Sequence, residues 1–328
     1  MSQKMRACVV SIALLAMVCV LTGWIDRADA AEKYPSRAIE IIVPFGAGGT
    51  TDILARTVAD FLSKKWGVPI NVLNKPAGVR VPGLLEVYGA KPDGYTMLQD
   101  GSGTSYQMPY AVKNLPFNVM DRTFVAVFAD SAPIFIVKPD SPIKNMKDLE
   151  TEIKKDPANF TWTGMGGASS YDICMRKFLK VIGVDVMKTR SVVVKSATEA
   201  ISFTTAGAVK VGFCQPGSGG ASIAANVVRP LAGTGKIRLK NFPNIPTIVE
   251  QGFPAATSSD QFFISGPPNL PSHIVELWDK GLQEMLKNPD IISKMDKIGT
   301  TRIYMNAEET KKHVLTQLEE MKTLYGPL

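Results

Sequence analysis

Gly46, Gly48 and Gly49 stand directly before Thr50, Thr51 and Asp52. Gly166 and Gly167 stand before Ala168, Ser169, Ser170 and Asp172. Glycine lets a backbone turn tightly, and a carboxylate at the third helical position caps free N–H groups. Both stretches therefore read as helix N-termini, where N–H groups point outward and the dipole adds partial positive charge. Such ends hold small anions. One loop alone reads equally well as a plain strand-to-helix turn. Two, about 120 residues apart, suggest two domains that each offer a helix end to one ligand. A carboxylate would accept from the N–H groups of Ala47 to Thr51 and of Gly167 to Ser170. The Thr50, Thr51, Ser169 and Ser170 hydroxyls either add bonds or cap. Asp52 and Asp172 are expected to cap, because a free carboxylate would repel an anion. Phe45 and Tyr171 either wall the ligand or belong to the core.

Further small-residue loops supply more candidates. Ser102 and Thr104 lie in Asp100–Ser105, and Gln215 opens Gln215–Gly220. Arg80 is the best-placed cation for a second carboxylate and Lys195 the next; a surface charge is the competing reading for each. An enzyme reading would take a serine from Ser102, Ser105, Ser169 or Ser170 as nucleophile. It needs a nearby base, and the two histidines, His273 and His313, both lie in the C-terminal quarter outside the loops. A dinucleotide fingerprint fails, since the sixth position from Gly46 is Thr51 and Asn71 to Lys75 holds no acid. No cofactor and no metal site is expected.

These residues need elements to hold them. Ile39, Ile41, Ile42 and Val43 form an apolar run typical of a buried parallel strand, which Pro44 ends. Ile53, Leu54, Val58, Phe61 and Leu62 recur at helical spacing behind the first loop. Strand and helix signals then alternate: strands at 70–73, 95–99, 124–128, 134–137, 160–163, 192–194, 209–214, 228–232 and 261–264. Helices are expected at 82–90, 145–155, from about 171, and at 197–205, 246–251, 271–286, 289–295 and 307–324. In an open α/β sheet, loops at the C-terminal strand ends share one edge, where ligands bind. No solenoid repeat or low-complexity tract speaks for a structural or adhesive module.

The chain has 328 residues. Lys4 and Arg6 precede a charge-free, mostly apolar run from Ala7 to Gly23, and Ala28-Asp29-Ala30 is a small-x-small cleavage site. This is a secretory signal peptide. Its apolar run of 17 residues falls short of the roughly 20 a spanning helix needs. Met17 and Val18 are larger than a lipoprotein site at Cys19 would favour. Cleavage after Ala30 leaves a soluble product of 298 residues, suited to two domains of about 150 residues each. The removed segment carries net +1, so a chain at +7 leaves a product at +6. No dense Lys/Arg tract or basic–aromatic interleaving points to nucleic acid. After cleavage Cys174 and Cys214 remain. They form either a disulfide, which export permits, or two buried thiols, the preferred reading.

The ordered set closely resembles the extracytoplasmic solute-binding proteins of tripartite tricarboxylate transporters, the Bug family. It comprises Tyr34-Pro35, Val43-Pro44-Phe45 with Gly48-Gly49 and Asp52, Ala55-Arg56, Asn74-Lys75-Pro76, Pro92-Asp93-Gly94-Tyr95-Thr96 and Leu115-Pro116-Phe117. Gly167 with Ser169-Ser170, Asn244-Ile245-Pro246-Thr247 and Glu250 to Phe253 complete it. The resemblance spans essentially the whole mature chain. It implies an α/β, two-lobed periplasmic-binding-protein fold of type II-like design, each lobe a mostly parallel sheet flanked by helices, with the cleft between lobes. Residues 31–130 and 258–328 would form one lobe and 131–257 the other, the chain crossing twice. It implies a small organic carboxylate ligand held by Phe45 to Asp52 and Gly164 to Ser170, and integral-membrane transporter subunits as partners of a periplasmic monomer. Three departures bear on ligand identity. Gly78-Val79-Arg80 puts a bulky cation where the family commonly has glycines, Val194-Lys195-Ser196 replaces a common Tyr-Lys-Gly, and the strand near Cys214 lacks a common aspartate.

Overall fold

The computed structural model describes residues 34–77, 80–167 and 169–325. The expected signal segment Met1–Ala30, with Cys19, lies outside the described residues, as do Gly78, Val79 and Ala168. The polypeptide divides into Met1–Ser36 and Arg37–Leu328. In the first unit Tyr34 to Ser36 are described; every helix and strand among the described residues belongs to the second.

β1 (Ile39–Val43) buries every residue but Glu40. It lies between β2 (Ile70–Asn74) and β3 (Thr96–Gly101), parallel to both. The helix behind it, α1 (Thr50–Trp66), turns Leu54, Val58 and Leu62 inward and ends at Gly67, whose φ of 72° suits glycine. Trp66 meets Trp278 edge-on at 5.0 Å, joining α1 to α8 (Ser272–Met285). Between them lie α2 (Val81–Tyr88), α3 (Met108–Ala111) after a π-turn at Gly103–Gln107, α4 (Met146–Lys155), α5 (Ser170–Val181), α6 (Ala197–Thr205) and α7 (Pro216–Ala224). α9 (Pro289–Lys297) and α10 (Ala307–Tyr325) close the chain.

β4 (Thr123–Ser131) runs out of the first sheet and β5 (Ile134–Val137) starts the second; β10 (Asp260–Gly266) returns between β3 and β4, antiparallel to both. The first sheet is completed by β11 (Thr301–Met305) on β4, giving the order β11-β4-β10-β3-β1-β2. The returning strand makes this sheet mixed: the βα units are parallel and the crossing strands are not. In the second lobe, β5 lies between β8 (Gly212–Cys214) and β9 (Arg229–Gly233). β6 (Thr161–Gly164) pairs in parallel with β7 (Arg190–Val193), and a bridge from Trp162 to Val211 links that pair to the β8 side.

The second lobe closes over Phe135, Trp162, Tyr171, Phe178 and Phe213. Tyr171 stacks on Phe213 at 5.6 Å and is 2 % exposed, so it is a core residue and not a ligand wall. Cys174 and Cys214 are free, buried thiols. Burial pushes both up to about 12, and no disulfide joins them.

Three local expectations change. Gln215–Gly220 is not a loop: Pro216 occupies the first turn of α7, where proline is pre-organised. The small residues answer to packing. A Cβ on Gly219 would collide with Cys214 Sγ, and one on Gly217 would stand 2.7 Å from the Ile298 carbonyl oxygen. Asp100–Ser105 likewise continues into the π-turn and α3. Residues 246–251 form turns, with a single helical bond from Gln251 N–H to Thr247 O. Among the described residues no helix is long and apolar enough to cross a membrane.

Candidate functional site

The first glycine loop leaves β1 at Pro44 and reaches α1 through Gly48, at φ 79°. Gly49 is the N-cap and offers no side-chain bond, so the first N–H groups of α1 are not taken up by a cap. Asp52 instead reaches back. Its Oδ2 accepts from Gly48 N–H at 2.9 Å, and its Oδ1 accepts from Asn74 Nδ2 at 3.0 Å. Arg56 bonds both oxygens, Nε to Oδ2 at 3.1 Å and Nη2 to Oδ1 at 3.0 Å. Burial alone would raise this carboxyl, but the bonds from Gly48, Arg56 and Asn74 outweigh it and hold Asp52 below the usual carboxylate range. Asn74 Nδ2 also donates to Phe45 O at 3.0 Å, and Gln99 Nε2 to Thr51 O at 2.8 Å. The loop is held from beneath. Ala47 and Gly48 are exposed, Phe45 and Gly49 half-buried, and Thr50 and Thr51 buried. Thr50 Oγ1 has no hydrogen-bond partner among the described residues, a costly condition unless something polar meets it.

The second loop repeats the device. Gly166 and Gly167 turn at φ 79° and 87°. Ser169 caps α5, accepting from Asp172 N–H, and its hydroxyl donates to Asp172 Oδ2 at 2.5 Å. The same Oδ2 accepts from Met165 N–H at 3.0 Å. In both loops the third helical residue is an aspartate that fixes a loop N–H. The Ser169 hydroxyl thereby acts as a cap. Gly164 cannot carry a side chain, because a Cβ would stand 2.6 Å from Asp172 Oδ1.

Arg80 joins the two loops. It is 8 % exposed, which excludes the surface-charge reading. Its guanidinium lies 4.8 Å from the Phe45 ring centroid, and Nη2 donates to Met165 O at 3.4 Å. Burial lowers its pKa, with the Asp172 and Asp260 carboxylates pulling the other way. Its φ is 72°, a conformation that costs an L-residue roughly 1–2 kcal/mol. The backbone thus keeps the shape expected of glycine while presenting a cation, and strain of this kind gathers at functional positions.

Gly167 packs close to Ala111: a Cβ placed on it would stand 3.2 Å from the Ala111 Cβ. Its carbonyl accepts from Tyr325 Oη–H at 2.6 Å. Lys180 Nζ donates to Thr323 O at 3.0 Å, and Lys177 pairs with Glu320 at 2.5 Å. α10 therefore straps the first lobe onto α5.

Beneath the loops, Ser102 N–H donates to Asp260 Oδ1 at 3.1 Å, and the Ser102 Oγ accepts from Gln261 N–H at 2.9 Å and Tyr106 Oη–H at 2.7 Å. Gln215 Nε2 donates to Ser170 Oγ and to Asp260 Oδ2, both at 3.3 Å, while its Oε1 accepts from Ser131 Oγ–H at 2.8 Å. Gln215 thus ties the end of β4, the start of α5 and the start of β10.

Contacts link part of the expected set into one candidate zone: Arg80 reaches Phe45 of the first loop and Met165, next to Gly166, of the second, while Gln215 bonds Ser170 and shares Asp260 with Ser102. Ala168, outside the described residues, falls between members of this set in sequence. Thr104 does not join them. Its hydroxyl donates to Asp100 Oδ2 at 2.7 Å, inside a buried ion pair of Asp100 with Arg122. Lys195 is exposed, and its backbone N–H bonds the Glu199 carboxylate at 2.6 Å. Sequence reading missed Asn74, Asp260, Gln261 and Tyr325 as supports. A cavity of about 570 Å³ lies to one side, walled by Tyr106, Asp130, Lys177, Gln261 and His313, and neither glycine loop lines it.

Chemically the zone offers two helix ends and a guanidinium, a setting for an anion. The candidate nucleophiles have other partners. Ser105 Oγ donates to Asp100 and accepts from Arg122, while Ser102, Ser169 and Ser170 bond the groups that hold the loops. Among the described residues neither histidine bonds any of these serines.

The family model described as "Tripartite tricarboxylate transporter family receptor" matches residues 54–326. The solved periplasmic binding protein BugD is 25 % identical, with a TM-score of 0.80, over 89 % of this chain and 97 % of its own. Two proteins of Rhodopseudomonas palustris share the fold. MatC with bound malate has a TM-score of 0.80 at 19 % identity, covering 89 % of this chain and 100 % of its own. Rpa4515 with adipate has a TM-score of 0.82 at 23 % identity, covering 90 % and 100 %.

Proposed function

The chain belongs to the tripartite tricarboxylate transporter receptor family, and from that membership we propose that it captures a small organic dicarboxylate in the periplasm and delivers it to the membrane subunits of such a transporter. The observation that carries this reading is Arg80, a buried cation that touches both glycine loops, at Phe45 and at Met165. One carboxylate is held by the N–H groups of Ala47 to Thr51 and of Gly167 to Ser170, the other by Arg80. Malate and adipate, the ligands of two proteins of the same fold, are both dicarboxylates. The lobes are residues 31–130 with 258–328, and 131–257, hinged at the two crossings. The signal segment directs a monomeric product to the periplasm, and the protein returns its ligand without chemistry.

Equilibrium dialysis of the product beginning at Ala31 against adipate and malate tests this. Retention of either, with the solute recovered unchanged after denaturation, is the expected result. Recovery of a converted solute would point to a serine hydrolase. Retention of neither would overturn the dicarboxylate reading.

A further inference from the structure

Asp260 is a carboxylate in an anion site. It begins β10, where the chain returns to the first lobe, and it is half-buried. Its Oδ1 accepts from Ser102 N–H on the β3 side at 3.1 Å, and its Oδ2 from Gln215 Nε2 at 3.3 Å. The Ser170 hydroxyl, at the first turn of α5, also bonds it. One carboxylate thus touches the first-lobe floor and the second-lobe anchor together. Neither Asp52 nor Asp172 is in this position. The first is neutralised by Arg56, and the second is fixed by Ser169 and Met165.

We propose that Asp260 is the site of a second ligand, the proton: each bound ligand anion brings one proton from solvent onto Asp260, and the proton is released when the anion leaves. The inference rests on the reading of this zone as an anion site. An anion held at the α5 N-terminus meets Ser170, which already bonds Asp260. Two negative charges within one hydrogen-bond network cannot both stay ionised cheaply, so one takes up a proton. The neutral acid then donates from Oδ2, toward Ser170 Oγ or a ligand oxygen, while Oδ1 keeps the Ser102 N–H bond. Where Asp260 donates to Ser170 Oγ, the Ser170 O–H that bonds the ionised carboxylate turns to the ligand oxygen instead, and the proton enters with the anion.

The surroundings determine the direction. Facing Asp260 are Arg80 at the start of α2, which favours its ionised form, and Asp130 on β4, which opposes it. Tyr171 and Cys174 face it from α5, and Tyr106 from the π-turn; Asp172 of α5 faces Arg80, which Asp260 also faces. Burial dominates, and against the bonds from Ser102 and Ser170 the carboxyl is pushed up to about 6. A bound anion raises it further. The free protein then holds less proton than the complex at neutral pH. Affinity must rise as pH falls, by at most about tenfold per unit, between the bound-state value and about 6, and level off below.

Calorimetric titration of the mature protein with adipate at pH 7, in buffers of different ionisation enthalpy, counts the protons. The expected result is a heat that depends on the buffer, with net uptake approaching one proton per adipate. Asp260→Asn should abolish that dependence and bind adipate more tightly than wild type at pH 8. Binding whose heat is the same in every buffer would overturn the proposal. So would uptake that persists in Asp260→Asn. The wild-type count decides the matter even where the variant fails to fold. Absence of any adipate or malate binding would instead fall on the dicarboxylate reading.

Discussion

Replacing Arg80 with alanine is expected to weaken adipate binding by about 1.5–3 kcal/mol, roughly tenfold to a hundredfold. A monocarboxylate, which does not reach the guanidinium, should lose far less. An arginine can hold a carboxylate with two parallel bonds, and truncation removes both. The effect is large because the guanidinium is already desolvated beside Phe45 and Met165, so its attraction is little screened by water. Arg80→Lys should restore the charge without the planar fork and recover only part of the loss. Calorimetry on the three proteins reads the outcome. Equal losses for mono- and dicarboxylates, or none for either, would remove Arg80 from ligand recognition.

The largest stability effect is expected at Arg122. Its Nη1 lies 2.6 Å from Asp100 Oδ2, both side chains are 0 % exposed, and its Nη2 donates to Ser105 Oγ at 2.6 Å. Thr104 bonds the same carboxylate. Removing the cation with Arg122→Ala leaves that charge buried and unpaired, which costs about 3–5 kcal/mol, a fall in Tm on the order of 10 °C. Replacing both partners, Arg122→Met with Asp100→Leu, should recover most of it, because an apolar pair carries no desolvation penalty. Denaturant unfolding of both variants measures the difference. A single variant within about 1 kcal/mol of wild type would show that the pair holds nothing.

The first loop could be read from the sequence because each cue is local. Pro44 ends a strand, glycines follow, and apolar residues recur at helical spacing. The second loop was legible as its echo, and the shared aspartate device gives that echo a physical basis in Gly48 and Met165. Arg80 drew notice as a cation where glycine is common, and its positive φ explains why glycine is common there. Other parts depend on partners distant in sequence. Asp260 looks like an ordinary acid before an apolar strand; only the return of β10 beside β3 brings it to Ser102, 158 residues away. Tyr325 meets Gly167 across the same separation. α7 was hidden by its own composition, since glycine and proline read as a loop until Cys214 and Ile298 crowd them. β11 is a half-exposed edge strand without clean alternation and gave no periodic signal. Thr104 was misplaced because the sequence does not show that Arg122 draws its neighbourhood inward.

The claim that this chain is a carboxylate receptor is tested most directly by thermal unfolding of the mature protein over a panel of mono-, di- and tricarboxylates. A ligand at 100 times its dissociation constant adds about 2.7 kcal/mol, which raises Tm by about 5–10 °C in domains of this size. The expected result is a shift of that order with a dicarboxylate such as adipate or malate, and a smaller one with monocarboxylates. A Tm that no carboxylate in the panel moves would contradict it.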